Sequence, residues 1–308
     1  MAGGDAELLA NMINESLLNV SRDLTPLPAQ QAVHERASEM PAFVIQPYEV
    51  FRQLSKISVH KSAGPDYVPN WYLRDFAFAL SEPICHIFNC TLQLGKVPLL
   101  WKAANVVPIP KSGVPKSIDN DLRPISLTPT LSKILESFEG RWVLPALSKH
   151  FDRRQFGAIK GRSTTHALID VVHSWHQALD KRQSTRTLFV DYSKAFDHVD
   201  HATVLGKLSA LGVDPALTAW LHSFLLHRQQ RVKIGGCFSQ WATLRGGMPQ
   251  GSWFGPLVFI TLINDLTTAM PLFKFVDDVT MVETIENAGN SYTFRQQLTS
   301  WLSGLDRT

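Results

Sequence analysis

Residues 273–282 read Phe-Lys-Phe-Val-Asp-Asp-Val-Thr-Met-Val, an apolar run broken at its centre by two adjacent carboxylates. Like the longest dense apolar run of the chain, around Pro256 to Ile263, it is far short of the ~20 residues that a membrane span needs. Its aromatic and β-branched content suits strands. The pattern therefore predicts a hairpin with Asp277 and Asp278 at its tip. A second short apolar strand, Thr187-Leu-Phe-Val-Asp191, also ends on an acid. Carboxylates in such surroundings are costly to desolvate unless they are paired or bound to a metal. Asp is also a common turn former, and that is the plainer reading of an isolated Asp-Asp. The apolar flanks and the third acid favour a shared hard cation, which prefers oxygen ligands. That arrangement requires Asp191 and Asp277 to lie within about a nanometre of each other, as a two-ion cluster demands.

Composition narrows the classes further. Hydrophobic residues make up 44% of the 308-residue chain, which excludes disorder throughout. Three cysteines, Cys85, Cys90 and Cys237, with no Cys-x-x-Cys pair, exclude a disulfide scaffold and argue against structural zinc. Acids at the N-terminus and no basic leader argue against a secretory signal, so an intracellular protein, nuclear or cytoplasmic, is expected, with no membrane association. The charge is segregated. Residues 1–50 hold seven acids and two bases, and the −5 there leaves +8 for the remainder of a chain whose net charge is +3. Eight bases face three aspartates between Lys149 and Arg186. A basic centre of this kind suits a polyanion.

Along the chain, residues 8–18 carry helical apolar spacing, and a boundary is expected between about 25 and 47. One helix is expected over about 71–95, ending at Gly95. Ala104–Pro110 reads as a strand confined to a sheet edge by its prolines. Helices are expected at about 129–147, 163–181, 201–211, 215–227 and 254–266. In the 163–181 helix, Ala167, Leu168, Val171, Val172, Trp175, Ala178 and Leu179 form one stripe, opened by a Ser/Thr cap. Arg231–Ile234 and Trp241–Leu244 read as strands paired around Gly235-Gly236. Strands and helices without regular alternation indicate an α+β fold.

Three segments in order carry a resemblance. Phe189-Val-Asp-Tyr-Ser-Lys-Ala-Phe-Asp197, Gly247-Met-Pro-Gln-Gly-Ser-Trp-Phe-Gly-Pro-Leu-Val-Phe259 and Phe275-Val-Asp-Asp278 resemble the catalytic palm motifs of reverse transcriptases. Lys61–Pro69, Trp101–Lys111, Leu122–Leu127, Gln155-Phe-Gly157 and the run 196–201 are similar to segments of the non-LTR, LINE-like retrotransposon subgroup. The resemblance covers about residues 55–285. It implies right-hand polymerase fingers (mainly 55–185) and palm (mainly 186–300) within residues 51–308, with an antiparallel palm sheet flanked by helices. Residues 1–50 would be a helical lead-in or linker. The family's thumb and endonuclease have no counterpart here, so a fragment is expected.

The resemblance also implies roles. Asp191, Asp277 and Asp278 would hold two Mg²⁺ ions, with Mn²⁺ able to replace them. Lys111 and Arg123 would grip the triphosphate, Phe196 would exclude a 2′-hydroxyl, and Gln250 would contact the nascent pair or template. Gly247 and Gly251 would admit nucleic acid close to backbone. Lys160 and Arg162, in the loop opening a helix, would contact the phosphate backbone. Partners would be an RNA template, a DNA primer and dNTPs. Asp197 and Asp200 read as helix-capping acids, and His166, His173 and His176 as a solvated or RNA-facing side. Val276 replaces a more usual Ala, and Trp253-Phe254 is bulkier than is common. The alternatives are a nucleic-acid-binding remnant without turnover, an RNA-dependent RNA polymerase (disfavoured by Phe196), and a metal-dependent phosphatase.

Overall fold

In the computed structural model, residues 3–29 and 43–285 are described. The expected boundary between 25 and 47 and the palm residues beyond 285 lie largely or wholly outside them. The chain forms two compact units, one from the residues up to Leu147 with Phe196–Gly255, the other from Ser148–Ala195 with the residues from Pro256 onward. Each is a sheet flanked by helices, so the fold is mixed α and β.

The first unit is built on β1 (Ala103–Pro110), β2 (Leu122–Leu127), β4 (Gln229–Ile234), β5 (Cys237–Phe238) and β6 (Ala242–Thr243), in the order β2-β1-β4-β5 with β6 also on β4. The prolines of β1 do not confine it to an edge: β1 is central, antiparallel to β2 and parallel to β4. The β4 pairing ends at Val106, before the prolines begin, and Pro108 lies opposite Pro124. Two residues without N–H groups can share a ladder only at a non-hydrogen-bonded pair. The Gly235-Gly236 hairpin pairs β4 with β5, and β6 rejoins β4 separately. Between them Ser239 intervenes, its hydroxyl accepting from the Val232 N–H at 2.8 Å.

Helix α1 (Gly3–Asn19) packs on this sheet through Ala10, Ile13 and Leu17 against Val106, Val232, Leu122 and Ile234. The helix expected over 71–95 is two, α3 (Asn70–Asp75) and α4 (Ala77–Leu94), joined at Phe76 and closed by Gly95 at φ +58°. Further helices are α2 (Pro47–Leu54), α5 (Thr130–Ser148), α7 (His201–Ala210) and α8 (Pro215–Leu225). Asp200 and Asp214 cap the last two, each accepting a backbone N–H at 2.7 Å. Helix α9 (Phe254–Ile263) begins in this unit.

The second unit holds the antiparallel sheet β3 (Ser184–Asp191), β8 (Asp278–Ile285) and β7 (Leu272–Phe275), in the order β3-β8-β7. One sheet face packs Leu188, Val190, Val279, Met281 and Leu272 into a cluster with Met270 and Leu266. On the other, Phe273 and Val282 meet Val171, Ala167 and Trp175 of α6 (Thr164–Asp180). The stripe expected on α6 is only partly inward. Val171 and Ala178 are buried, while Leu168, Val172 and Leu179 are exposed. A three-stranded sheet is too narrow to cover the whole apolar arc.

Candidate active site

Alternation along β3 sends Val190 and Leu188 into the core and turns Asp191 and Phe189 to the opposite face. In the antiparallel register Asp191 stands directly opposite Asp278, and Phe275 pairs with Asp278 across a two-residue loop, Val276-Asp277. Opposed Cα atoms in such a ladder are about 4.5–5.5 Å apart, and Asp277 is one chain step of about 3.8 Å further. Three carboxylates thus lie together at one end of this sheet. Asp191 and Asp278 are exposed and Asp277 is half-buried. Burial, then the negative charges of Asp278 and Asp191, push the Asp277 carboxyl above the usual carboxylate range. Like charges directly opposed are destabilising, and a hard divalent cation is the chemistry that three such oxygen donors fit. Among the described residues, no three His, Cys, Asp or Glu side chains are drawn together tightly enough to hold an ion unaided. The trio lies at an open end of the sheet, with Phe189 beside it at 72% exposure.

The loop carrying Asp277 is strained and braced. Val276 has φ +58°, a conformation that glycine ordinarily supplies and a β-branched residue resists. The Gln155 side-chain oxygen accepts from the Val276 N–H at 3.0 Å and from the Gly157 N–H at 2.9 Å. The Phe156 N–H donates to the Lys274 carbonyl, and the Lys274 N–H to the Arg154 carbonyl, both at 2.8 Å. The Lys274 ammonium is buried, donating to the Ile263, Asn264 and Leu266 carbonyls and pairing with Asp152 at 2.9 Å. Burial alone would raise the Asp152 carboxyl, but the Arg154 N–H and the Lys274 ammonium hold it low. Tyr192, following Asp191, packs its ring 6.0 Å from that of Phe259, and burial pushes its phenol up to about 12.

In the first unit the Pro-Gln-Gly loop is packed against the segment 196–201. The Gly247 N–H donates to the Val199 carbonyl and the Met248 N–H to the Phe196 carbonyl, both at 2.8 Å. The His201 ring bonds the Gly247 carbonyl at 2.7 Å. Gly247 needs its φ of +80°, and a Cβ there would press on the Asp197 backbone. The Gln250 carbonyl accepts from the Ser126 N–H at 3.0 Å. Gly251, at φ +121°, lies over the Ser126 carbonyl. Buried Glu136 of α5 gathers the loop's end, accepting from the Ser252 hydroxyl and, at 2.8 Å, the Trp253 N–H. Burial raises the pKa of this carboxyl, while the hydrogen bonds from Ser252, Phe254 and Trp253 oppose the shift. Trp253, the bulky residue, lies on Gly140 of α5, where a Cβ would come within 1.8 Å of its ring.

The remaining expected residues fall as follows. Lys111 and Arg123 are exposed on the β1–β2 hairpin, Arg123 opposite Ile109. Lys160 is exposed. Arg162 is half-buried, its guanidinium holding the carbonyls of Asp152 and Gln155. Phe196 is half-buried, in ordinary contact with Gly255. His166 bonds the capping Ser163, and His173 bonds Gln177. Sequence reasoning missed Glu136, Lys274 and the bracing role of Gln155. Glu136 and Lys274 carry no local signal in the sequence, and Gln155-Phe-Gly157 stands out there only by its resemblance.

A family model described as reverse transcriptase (RNA-dependent DNA polymerase) matches residues 109–303. That is more than half of the chain, and the chain belongs to this family. The RNA-directed DNA polymerase from mobile element jockey of Drosophila melanogaster is 28% identical over 269 residues, 86% of this chain and 29% of that protein. Its Drosophila funebris counterpart is 32% identical over 235 residues, 75% of this chain and 25% of that protein. The retrovirus-related Pol polyprotein from type-1 retrotransposable element R2 of Popillia japonica is 24% identical over 208 residues, 62% and 29% of the two chains. The chain spans under a third of the length of these curated relatives. Among the described residues no helix is long and apolar enough to cross a membrane.

Proposed function

We propose that this chain is the fingers and palm of an RNA-directed DNA polymerase of a non-LTR retrotransposon, adding dNTPs to a primer 3′-hydroxyl on an RNA template. The observation that carries the reading is the β3–β8 register, which sets Asp191 against Asp278 with Asp277 in the adjoining turn. Fingers lie mainly in residues 55–185 and palm in 186–300, with residues 1–50 a lead-in or linker ahead of them. Asp191, Asp277 and Asp278 are the residues that would hold two divalent cations, Mg²⁺ or Mn²⁺, hard ions that prefer oxygen ligands. Such ions supply a lowered pKa at the attacking hydroxyl and charge neutralisation at the leaving pyrophosphate.

The other roles follow the family motif residue by residue. Lys111 and Arg123 pair with the triphosphate, the Arg by charge-assisted hydrogen bonds. Phe196 excludes a ribose 2′-hydroxyl, and Gln250 contacts the nascent pair or template. Lys160 and the free donors of Arg162 meet the phosphate backbone, and Gly247 and Gly251 keep backbone open to nucleic acid. Primer extension on an RNA template with dNTPs and Mg²⁺ tests the reading. Incorporation that Asp277→Asn reduces by about 10²–10³-fold is expected, the usual effect of removing one key electrostatic group. Salt-sensitive RNA binding with no incorporation, alone or in the full-length polypeptide, would refute it and select the non-catalytic alternative.

A further inference from the structure

We propose that Gln155 is a positioning residue that holds the Val276-Asp277 turn in its left-handed form and so sets the direction of the Asp277 carboxylate. The inference rests on the polymerase reading of the three aspartates. It starts from a backbone problem. Val276 occupies φ +58°, and nothing in its own side chain favours that state. The conformation persists only if surrounding groups over-determine it. Gln155 supplies the constraint, because one side-chain oxygen takes the N–H groups of both Gly157 and Val276.

Two donors converging on one atom also decide the amide's orientation, since only the oxygen can accept both. Gln155 is 1% exposed, and its amide nitrogen is buried with no hydrogen-bond partner among the described residues. A buried donor left unsatisfied is uncommon, which marks the oxygen's two bonds as what the residue is held for. Gly157 makes the approach feasible, because a Cβ there would come within 2.5 Å of the Val276 nitrogen. The brace is itself anchored. Residues 154–156 bond the backbone of Lys274 in β7, and the Arg162 guanidinium grips the carbonyls of Asp152 and Gln155. Fixing the turn at Val276 fixes the backbone that carries the next residue, Asp277, ahead of Asp278 and its ladder partner Asp191.

The test uses the full chain and two readouts, hydrogen exchange at the Val276 amide and binding of Mn²⁺ alone. Gln155→Met keeps length and apolar volume but removes the acceptor. It should speed Val276 exchange by about tenfold or more, as expected for local opening. Mn²⁺ binding should weaken by about 10- to 100-fold, the usual effect of losing a group that orients a ligand. Glycine at 276 adopts the turn without help, so Gln155→Met with Val276→Gly should recover most of the Mn²⁺ affinity. Unchanged exchange and affinity in Gln155→Met would overturn the inference. So would a loss of affinity that Val276→Gly fails to restore, since that is what general unfolding gives. If the unmodified chain shows no Mn²⁺ binding that Asp277→Asn removes, the polymerase reading fails first and the inference falls with it.

Discussion

Glu139 sits in α5 fully buried, and neither of its carboxyl oxygens has a hydrogen-bond partner among the described residues. Burial pushes its pKa from 4.5 up to about 9. The folded chain therefore keeps this group protonated at neutral pH, whereas the unfolded chain ionises it. Unfolding above pH 4.5 releases a proton, so stability falls as pH rises from about 4.5 to about 9, by about 1.4 kcal/mol per unit. By pH 7 the loss is about 3 kcal/mol, a large part of a typical total of about 5–15 kcal/mol. Glu139→Gln preserves shape and buries a neutral amide in place of a neutral acid, so the two proteins should match near pH 4.5. At pH 8 the variant should be more stable by several kcal/mol. Urea denaturation at intervals from pH 5 to 9 measures this, read as the difference between the two curves. The difference matters because buried Glu136, three residues earlier, is raised by burial too and adds a slope common to both. His201, lowered by burial despite its bond to Gly247, contributes stability that is lost only as pH falls below 6.5. Its effect is therefore absent from the alkaline limb. Parallel curves for parent and variant over pH 5–9 would refute the argument.

Two further substitutions probe the Pro-Gln-Gly loop. Gly140→Ala should gain about 1 kcal/mol of helix propensity but drive a Cβ into the Trp253 ring, an overpacking worth about 1–3 kcal/mol. The single variant should therefore melt no higher than the parent, and the propensity gain should emerge only alongside Trp253→Ala; a stabilised single variant in a thermal melt would contradict this. Glu136→Leu strands the Ser252 hydroxyl and the Trp253 N–H, and a buried donor left without a partner costs about 1–3 kcal/mol. Its denaturation midpoint should fall accordingly, and a shift equivalent to under 1 kcal/mol would show that the carboxylate does not secure the loop.

What could be read from the residue order was whatever short-range sterics and hydrogen bonds decide. The Asp-Asp hairpin follows from two apolar runs around a two-residue loop. The caps at Ser163, Asp200 and Asp214 follow from side chains that reach backbone two or three residues ahead. Gly95 ends α4 because glycine accepts a positive φ. The prolines of β1 misled because proline excludes hydrogen bonds only at its own position, and β4 pairs with the half of the strand that lacks them. The α6 stripe misled because periodicity identifies an apolar arc but not how wide a surface will meet it.

The site's supports were beyond such reasoning. Asp191 meets Asp278 across 87 positions, Glu136 reaches Ser252 across 116, and Gln155 reaches Val276 across 121. A carboxylate's charge state, a valine's left-handed turn and a lysine's burial depend on which distant segments close around them, and chain folding alone brings those segments together. The sequence determined which groups could do chemistry; the tertiary structure decided which of them are desolvated, opposed or braced, because those properties belong to the surroundings and not to the residue.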